Sequence, residues 1–574
     1  MRAITTFVSG LLLSALCLLP VASRAAEVQP FLTLKLSSVN SLVGVAEKIG
    51  TIAGISNDAQ FRDVIRAVKD IKGFDFDNII GLAAAVGSDG ALCPILLLPI
   101  TDLAKAEIPS QPQIFNMIRP FLVKNEKGDT EINSPFGTFI VVQKQGYLVI
   151  VPEDFAAQLP SDPRKLFADL EKYTLGIKVD FDKVDLDTLE TNLFGPLVFL
   201  ATMQDADTGE QLENVLGITR ELYKEFSVLS GGIAINPQTA DIELSGTAVP
   251  RKGSDFAKVF AGYKQQPTIF GGFRGTPGNV VFSFGDSAIQ PPFPKQNTLM
   301  TPIMGQLDTI LEGILEQIDM EDSTGDISSA AKKAVGLIQK ILEAESKRGA
   351  RDFAVSFDTS GTLMGAVELG SLDELRQLAE MVMYLGRDKL PSDLISDLAY
   401  DFRQDYKTVE GFQVSGTKIP VASLLETLTG SAPDAVGGVT LDVFWAVKDT
   451  SGKKAIAFAV GPSFSNPEQT FISALEKTKT PVPVQKPQGT FDIRALGQLL
   501  QPLGVVLDDS APEAGRIIDI LASAGNDATI SFSMDVKPDK AEGGYRISGK
   551  AIQAIVSLIK VAMDSGKVEL PFKH

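Results

Sequence analysis

The sequence predicts an α+β fold of antiparallel sheets packed with helices, and three observations predict it. A strand–turn–strand–helix unit recurs along the chain. Its strands alternate apolar and polar residues, as in Asp241-Ile242-Glu243-Leu244-Ser245-Gly246-Thr247, which buries one face of a sheet and leaves the other wet or lightly covered. The stretch from Met300 to Ile318 repeats apolar residues at helical spacing (Ile303, Leu307, Ile310, Leu311, Ile314), as an amphipathic helix requires. The units are unevenly spaced, so they read as parts of two related halves and not as a solenoid.

The elements follow in order. Arg2, the apolar run Phe7 to Ala22 and the small-residue stretch Ser23-Arg24-Ala25 have the charge, length and ending of a signal peptide, with cleavage expected after Ala25. Leu16 precedes Cys17, which argues against a lipidated cysteine. The first unit is Ile79 to Val86, the turn Gly87-Ser88-Asp89-Gly90, Ala91 to Ile100 and a helix capped by Thr101-Asp102. Gly232 to Val249 with Ser254-Asp255, Phe353 to Leu369 with Ser371, and Leu441 to Val460 with Asn466-Pro467-Glu468 repeat the plan. Thr529 to Val536 with Tyr545 to Ala551 forms a fifth pair with a longer loop. A second amphipathic stretch runs from Ser328 to Ser346, and Gln290-Pro291-Pro292-Phe293-Pro294 is a stiff connector. The expected organisation is therefore a signal peptide at 1–25, an α+β domain at 26–289, a helical connector at 290–350 and a second α+β domain at 351–574.

Composition narrows the function. At 574 residues the chain exceeds one ordinary core. Its net charge of −18 repels nucleic acid and anionic lipid. No later segment reaches the length of apolar sequence that a membrane-spanning helix needs. Cys93 is left as the single cysteine after cleavage, so no internal disulfide forms. It sits in the apolar run Leu92 to Leu98 and reads as a buried small hydrophobe. The one histidine is the terminal His574. An internal imidazole is thus missing as general base, triad partner or metal ligand.

The remaining chemical motifs are weak. No Gly-x-Ser-x-Gly elbow occurs. Ser329/Lys332, Ser415/Lys418 and Ser557/Lys560 match Ser-x-x-Lys at the frequency of chance. The acidic group Asp319, Glu321, Asp322 and Asp326 has Thr324 where an EF-hand turn needs glycine and Ala330 where it needs glutamate. Asp180, Asp182, Asp185 and Asp187, with the earlier Asp75-Phe76-Asp77, read as a sheet edge or helix entry before they read as a cation site. Trp445, the only tryptophan, lies beside Phe444 in a hairpin strand and reads as sheet packing. Gly271-Gly272-Phe273-Arg274-Gly275 reads as a loop, since a strand follows it where a phosphate cradle needs a helix. The 33 phenylalanines fill a core or line a cavity for an apolar ligand.

Several stretches resemble an uncharacterised family of exported planctomycete proteins. They are Leu36-Ser37-Ser38-Val39-Asn40, Ile80 to Val86, Pro99-Ile100-Thr101-Asp102-Leu103, the hairpin Phe139 to Val151, and Asp241 to Val249 followed by Ser254. The resemblance covers residues 27–284. It implies export and an α+β architecture, and it brings no catalytic residue, metal or cofactor. The expected function is that of an exported, non-catalytic binding or structural protein, at the periplasm or cell surface, with a protein or apolar small molecule as partner. A periplasmic carrier of a lipid or other apolar ligand, and a hydrolase using carboxylates or a Ser-Lys pair, are the alternatives.

Overall fold

The computed structural model describes residues 29–564 except for 102–121, 125–129, 199–205, 292–332, 342–348, 378–400, 423–437, 484–487, 508–511 and shorter gaps. In chain order the strands are β1 (Pro30–Leu36), β2 (Ile80–Val86), β3 (Leu92–Leu98), β4 (Leu122–Lys124), β5 (Thr130–Ser134), β6 (Gly137–Lys144), β7 (Tyr147–Pro152), β8 (Leu175–Asp180), β9 (Phe226–Ile235), β10 (Ile242–Pro250), β11 (Lys264–Gln265), β12 (Val280–Ile289), β13 (Ala350–Asp358), β14 (Leu363–Leu369), β15 (Arg403–Val409), β16 (Phe412–Pro420), β17 (Thr440–Thr450), β18 (Lys453–Pro462), β19 (Gln488–Asp492), β20 (Thr529–Val536) and β21 (Ala541–Ile547). The helices used below are α1 (Val39–Ile52), α2 (Asp255–Gly262), α3 (Pro467–Glu476), α4 (Ile493–Leu507) and α5 (Gly549–Asp564). The molecule is mixed α+β, and its strands pair antiparallel throughout the described residues.

Two compact units form, Met1–Ala257 with Asp539–His574, and Lys258–Pro538. This division departs from the boundaries expected at 289 and 350. The cause in the first unit is β21, which pairs with β10 from Ile242–Ile547 to Ala248–Ala541 and carries the C-terminal segment into that unit. Thr529–Val536 belongs to the second unit, paired with β19. Most of the helical connector, and the helix expected after Thr101-Asp102, lie outside the described residues.

In the first unit the strand order is β4–β5–β6–β7–β3–β2–β1–β8–β9–β10–β21. The β6–β7 hairpin turns on Gln145 and Gly146, both with positive φ (48° and 80°). That left-handed pair matches the twist of the strands it joins. One sheet face is closed. Ala83, Ala85, Cys93, Ile95, Leu97, Tyr147 and Val149 meet Phe155, Leu159 and Phe167 from the segment between β7 and β8. Lys35 projects into this side and is buried. Its ammonium donates to the carbonyls of Leu170 (2.9 Å) and Glu171 (3.1 Å), the open end of the 3₁₀ helix Pro163–Leu170. Burial lowers its pKa, and the two carbonyls take two of its three donors.

In the second unit the order is β15–β16–β17–β18–β14–β13–β12–β19–β20, with β11 also on β12. An alanine ladder explains its closed face. Ala354, Ala366, Ala457 and Ala446 stand opposite one another on β13, β14, β18 and β17. Their small side chains admit α3 and the 3₁₀ helix Gly271–Arg274 close to the sheet. Phe270, Phe273, Phe412, Phe444, Phe471 and Leu475 fill the layer and are completely buried. Rings of Phe273 and Phe471 meet edge-on at 6.1 Å, a favoured aromatic geometry.

Four expected hairpins, β2–β3, β9–β10, β13–β14 and β17–β18, pair as read. Ser254 caps the helix after β10, its hydroxyl accepting from Ala257 N–H at 3.1 Å. Asn466 differs. It precedes α3 with φ +50° and makes no side-chain cap bond.

Candidate functional site

The opposite face of the second unit is the candidate site. Residues directly opposite in an antiparallel ladder share a face. One row runs Ile530, Phe491, Phe282, Phe357, Leu363, Val460, Val443. The next runs Phe532, Gly489, Phe284, Val355, Gly365, Phe458, Trp445. Every large side chain in these two rows is half-buried or exposed, with Phe282 and Leu363 each 37% exposed. Phe458 and Phe284 spread over the backbone of Gly365 and Gly489, where an added Cβ would meet their rings at 2.6 Å and 3.0 Å. Phe284 also meets Phe353 (5.4 Å) and Phe532 (6.5 Å), and Trp445 stacks on Phe402 at 5.8 Å. Helix α4 packs against β12.

The first unit has a smaller counterpart. Leu36, Leu175, Ile233, Leu244 and Tyr545 form one row across β1, β8, β9, β10 and β21. Leu244 and Tyr545 are 50% and 53% exposed. The adjoining row is Leu34, Ile177, Gly231, Gly246 and Gly543. Elsewhere on the same side of the sheet, Leu96, Leu98 and Leu148 are closed over together with Ile100.

At one end of the aromatic face stands a polar group. Asp286 follows Phe284 by two residues on β12, and its carboxylate pairs with Arg351 Nε at 2.5 Å. The Arg351 guanidinium lies 6.0 Å from the centre of the Tyr263 ring. Beneath it, on the closed side, Asp352 accepts from Thr268 Oγ1 (2.6 Å) and Ile269 N–H (3.1 Å). Arg274 packs against Gly285, where a Cβ would sit 2.7 Å from its guanidinium. Burial raises the Asp286 pKa against the opposing charge of Arg351. It also raises that of Asp352, against the bond from Thr268. Burial lowers the Arg274 pKa, with Asp286 and Asp352 opposing it.

A cleft of about 230 Å³ in the first unit is lined by Phe31, Thr33, Lys165, Asp169, Lys178 and Asp180, among others. Its central charges satisfy one another, since Lys178 lies 2.5 Å from Asp169 and 3.8 Å from Asp180.

The sequence-derived candidates fall elsewhere or apart. Ser415 donates to Asp405 and accepts from its N–H, while Lys418 lies 3.7 Å from Asp442. Three residues apart on one strand, the two side chains point to opposite faces. Ser557 donates to the Gln553 carbonyl of its own helix. Ser329/Lys332, the acidic group 319–326 and His574 lie outside the described residues. The aspartates after β8 fan out. Asp182 pairs with Arg251 (3.0 Å), and Asp185 holds Thr188 through N–H and hydroxyl bonds of 2.7 Å. Asp75 accepts from Asn78. Among the described residues, no three of His, Cys, Asp and Glu gather as a metal site. Cys93 is fully buried, and burial pushes its thiol pKa up. Gly271–Arg274 is a 3₁₀ turn and not an open loop. Sequence reasoning missed Asp286 and Arg351, which are 65 positions apart; their one signal is a charge inside an apolar strand.

No family model, curated protein or solved structure matches this chain. No described helix is long and apolar enough to cross a membrane.

The buried carboxylates set a pH dependence. A folded-state pKa raised above its unfolded value means that the folded protein binds more protons between the two values. Asp286 and Asp352, both raised above 3.8, thus cost stability as pH climbs upward from about 4. In the first unit Asp162, Asp185, Glu190 and Asp241 are lowered, chiefly by bonds from Arg164, Thr188 and Arg220 for the first three and, for Asp241, by Arg546 against burial. Their contribution is present above about 4 and is lost below it, and exposure keeps it small. Calorimetry from pH 7 down to about pH 4 is expected to show the second unit's transition rising relative to the first unit's. Asp286→Asn is expected to flatten that rise, and an unchanged slope would place the titrating group elsewhere.

Proposed function

We propose that the protein is exported and acts there as a non-catalytic binding protein that takes an alkyl chain onto half-open apolar sheet faces. The observation that carries this reading is the asymmetry of the second unit. One face of its sheet is closed to completion by phenylalanine, while the other presents phenylalanines from β12, β13, β18, β19 and β20 that stay part-exposed. A fold that needed those rings only as core would close over them, because each unburied ring forgoes stabilisation of about 1 kcal/mol or more. Rings that are each exposed only in part leave access between side chains and not a bare plane. That suits a thin flexible chain better than a folded protein partner, which needs a broad, complementary surface.

We further infer that the two units are copies of one module. Counted from β1, the first nine strands lie in the order 4-5-6-7-3-2-1-8-9. Counted from β12, the strands of the second unit lie in the same order. In both, the segment between the seventh and eighth strands closes one face. A helix follows β10 and another follows β21.

Titration of the full chain with the uncharged dye N-phenyl-1-naphthylamine tests the reading. Saturable uptake, together with lipid recovered by solvent extraction of natively purified protein, is the expected result. An absence of saturable uptake, with turnover of ester, glycoside or peptide substrates, would replace it with the hydrolase.

A further inference from the structure

We infer that the aromatic face of the second unit ends in a site for the uncharged, hydroxylated head of an amphiphile, formed by Tyr263, Gln265, Asp286 and Arg351. This rests on the alkyl-chain reading above and names the rest of the ligand.

The sheet register places these groups. Gln265 stands opposite Ala288 on β12, and Ala288 stands opposite Arg351 on β13. That row adjoins the row of Asp286 and Phe353, which in turn adjoins Phe284 and Val355. Moving along β12, the face thus changes from Phe282 and Phe284 to Asp286 within four residues. A ligand whose chain lies along the rings brings its other end to the polar group.

The polar atoms there are incompletely satisfied. Asp286 and Tyr263 are more than nine-tenths buried. Asp286 Oδ1, the Tyr263 hydroxyl and Gln265 Nε2 nevertheless form no hydrogen bond of good geometry; the Arg351 and Gln265 side chains approach the phenol without closing one. Buried polar atoms without partners are uncommon, because they have lost water and gained nothing in return. The set is mixed. A carboxylate oxygen accepts, an amide nitrogen donates, and a phenol does both. A hydroxyl group answers all three, since it donates once and accepts twice. A charged head fits less well. Arg351 is held by Asp286 at 2.5 Å, so the pair already cancels its own charge.

The test compares ligands with one shared twelve-carbon chain. 1-Monolauroylglycerol, methyl laurate and lauric acid displace N-phenyl-1-naphthylamine from the full chain, and the two esters differ in the head alone. The wild type is expected to prefer the monoglyceride over methyl laurate about tenfold, and Tyr263→Phe and Gln265→Ala are each expected to cut that preference threefold or more. Affinity for methyl laurate should stay unchanged in both variants, which shows that they remain folded. Equal affinity for the two esters in the wild type overturns the head-group site and leaves the alkyl-chain reading standing. A preference that survives both variants overturns it as well, and so does tightest binding by lauric acid. Failure of the dye and of all three ligands to bind overturns both proposals.

Discussion

Replacing Phe471 by alanine is expected to destabilise the second unit by about 3–5 kcal/mol, the cost of truncating a fully buried aromatic ring. The ring has no exposed surface and lies between Phe273 and Phe444, at centroid distances of 6.1 and 6.5 Å. The size of the effect follows from what lies below it. Ala446, Ala457 and Ala459 present only methyl groups on strands held by continuous ladders, so nothing there can swing in to fill the space. A cavity that stays open costs more than one that collapses. Scanning calorimetry should show the transition of Lys258–Pro538 moving down while that of the first unit stays in place. A loss below about 1 kcal/mol, the scale of an average substitution, would mean that the alanine ladder does not seat this helix.

The hairpins were legible because their information is local. Thr359-Ser360-Gly361 marks a turn, and the alternation on either side fixes which residues share a face. In the structure Asp358 holds this turn together, accepting from Ser360 N–H and Thr362 N–H at 2.9 Å each. The order of the strands was not legible, because the pairing of β3 with β7 or of β14 with β18 joins segments that nothing local connects. β21 shows the limit well. Its alternation reads as the partner of the preceding strand, yet its ladder to β10 joins residues some 300 positions apart, with Arg546 reaching Asp241 at 2.8 Å. The candidate site was half-legible. An abundance of phenylalanine was visible, but alternation alone does not say which of the two faces is closed. Phe444 and Trp445 are sequence neighbours with opposite fates, one fully buried and the other part-exposed. What separates them is α3, a helix that covers one side only.

That difference yields the prediction that decides between a core and a ligand surface. Phe284→Ser combined with Phe458→Ser is expected to weaken N-phenyl-1-naphthylamine binding by more than about tenfold, since each lost apolar contact of 1 kcal/mol or so is worth several-fold in affinity. The same double variant is expected to cost less stability than Phe471→Ala alone. Both rings are part-exposed, so each recovers only a fraction of the about 1.5–3 kcal/mol of a fully buried side chain, and neither leaves a sealed cavity behind. Both also lie over glycines, Gly489 and Gly365, so serine in their place meets no crowding. Equilibrium unfolding and dye titration on the same samples read the two quantities together. If unfolding shifts as far as it does for Phe471→Ala and dye affinity holds, these rings are core and the alkyl-chain reading ends. If affinity collapses while the unfolding midpoint barely moves, the rings are there for something the polypeptide itself does not supply. The two outcomes are opposite in sign because a side chain can stabilise the fold fully only by leaving no surface for a ligand.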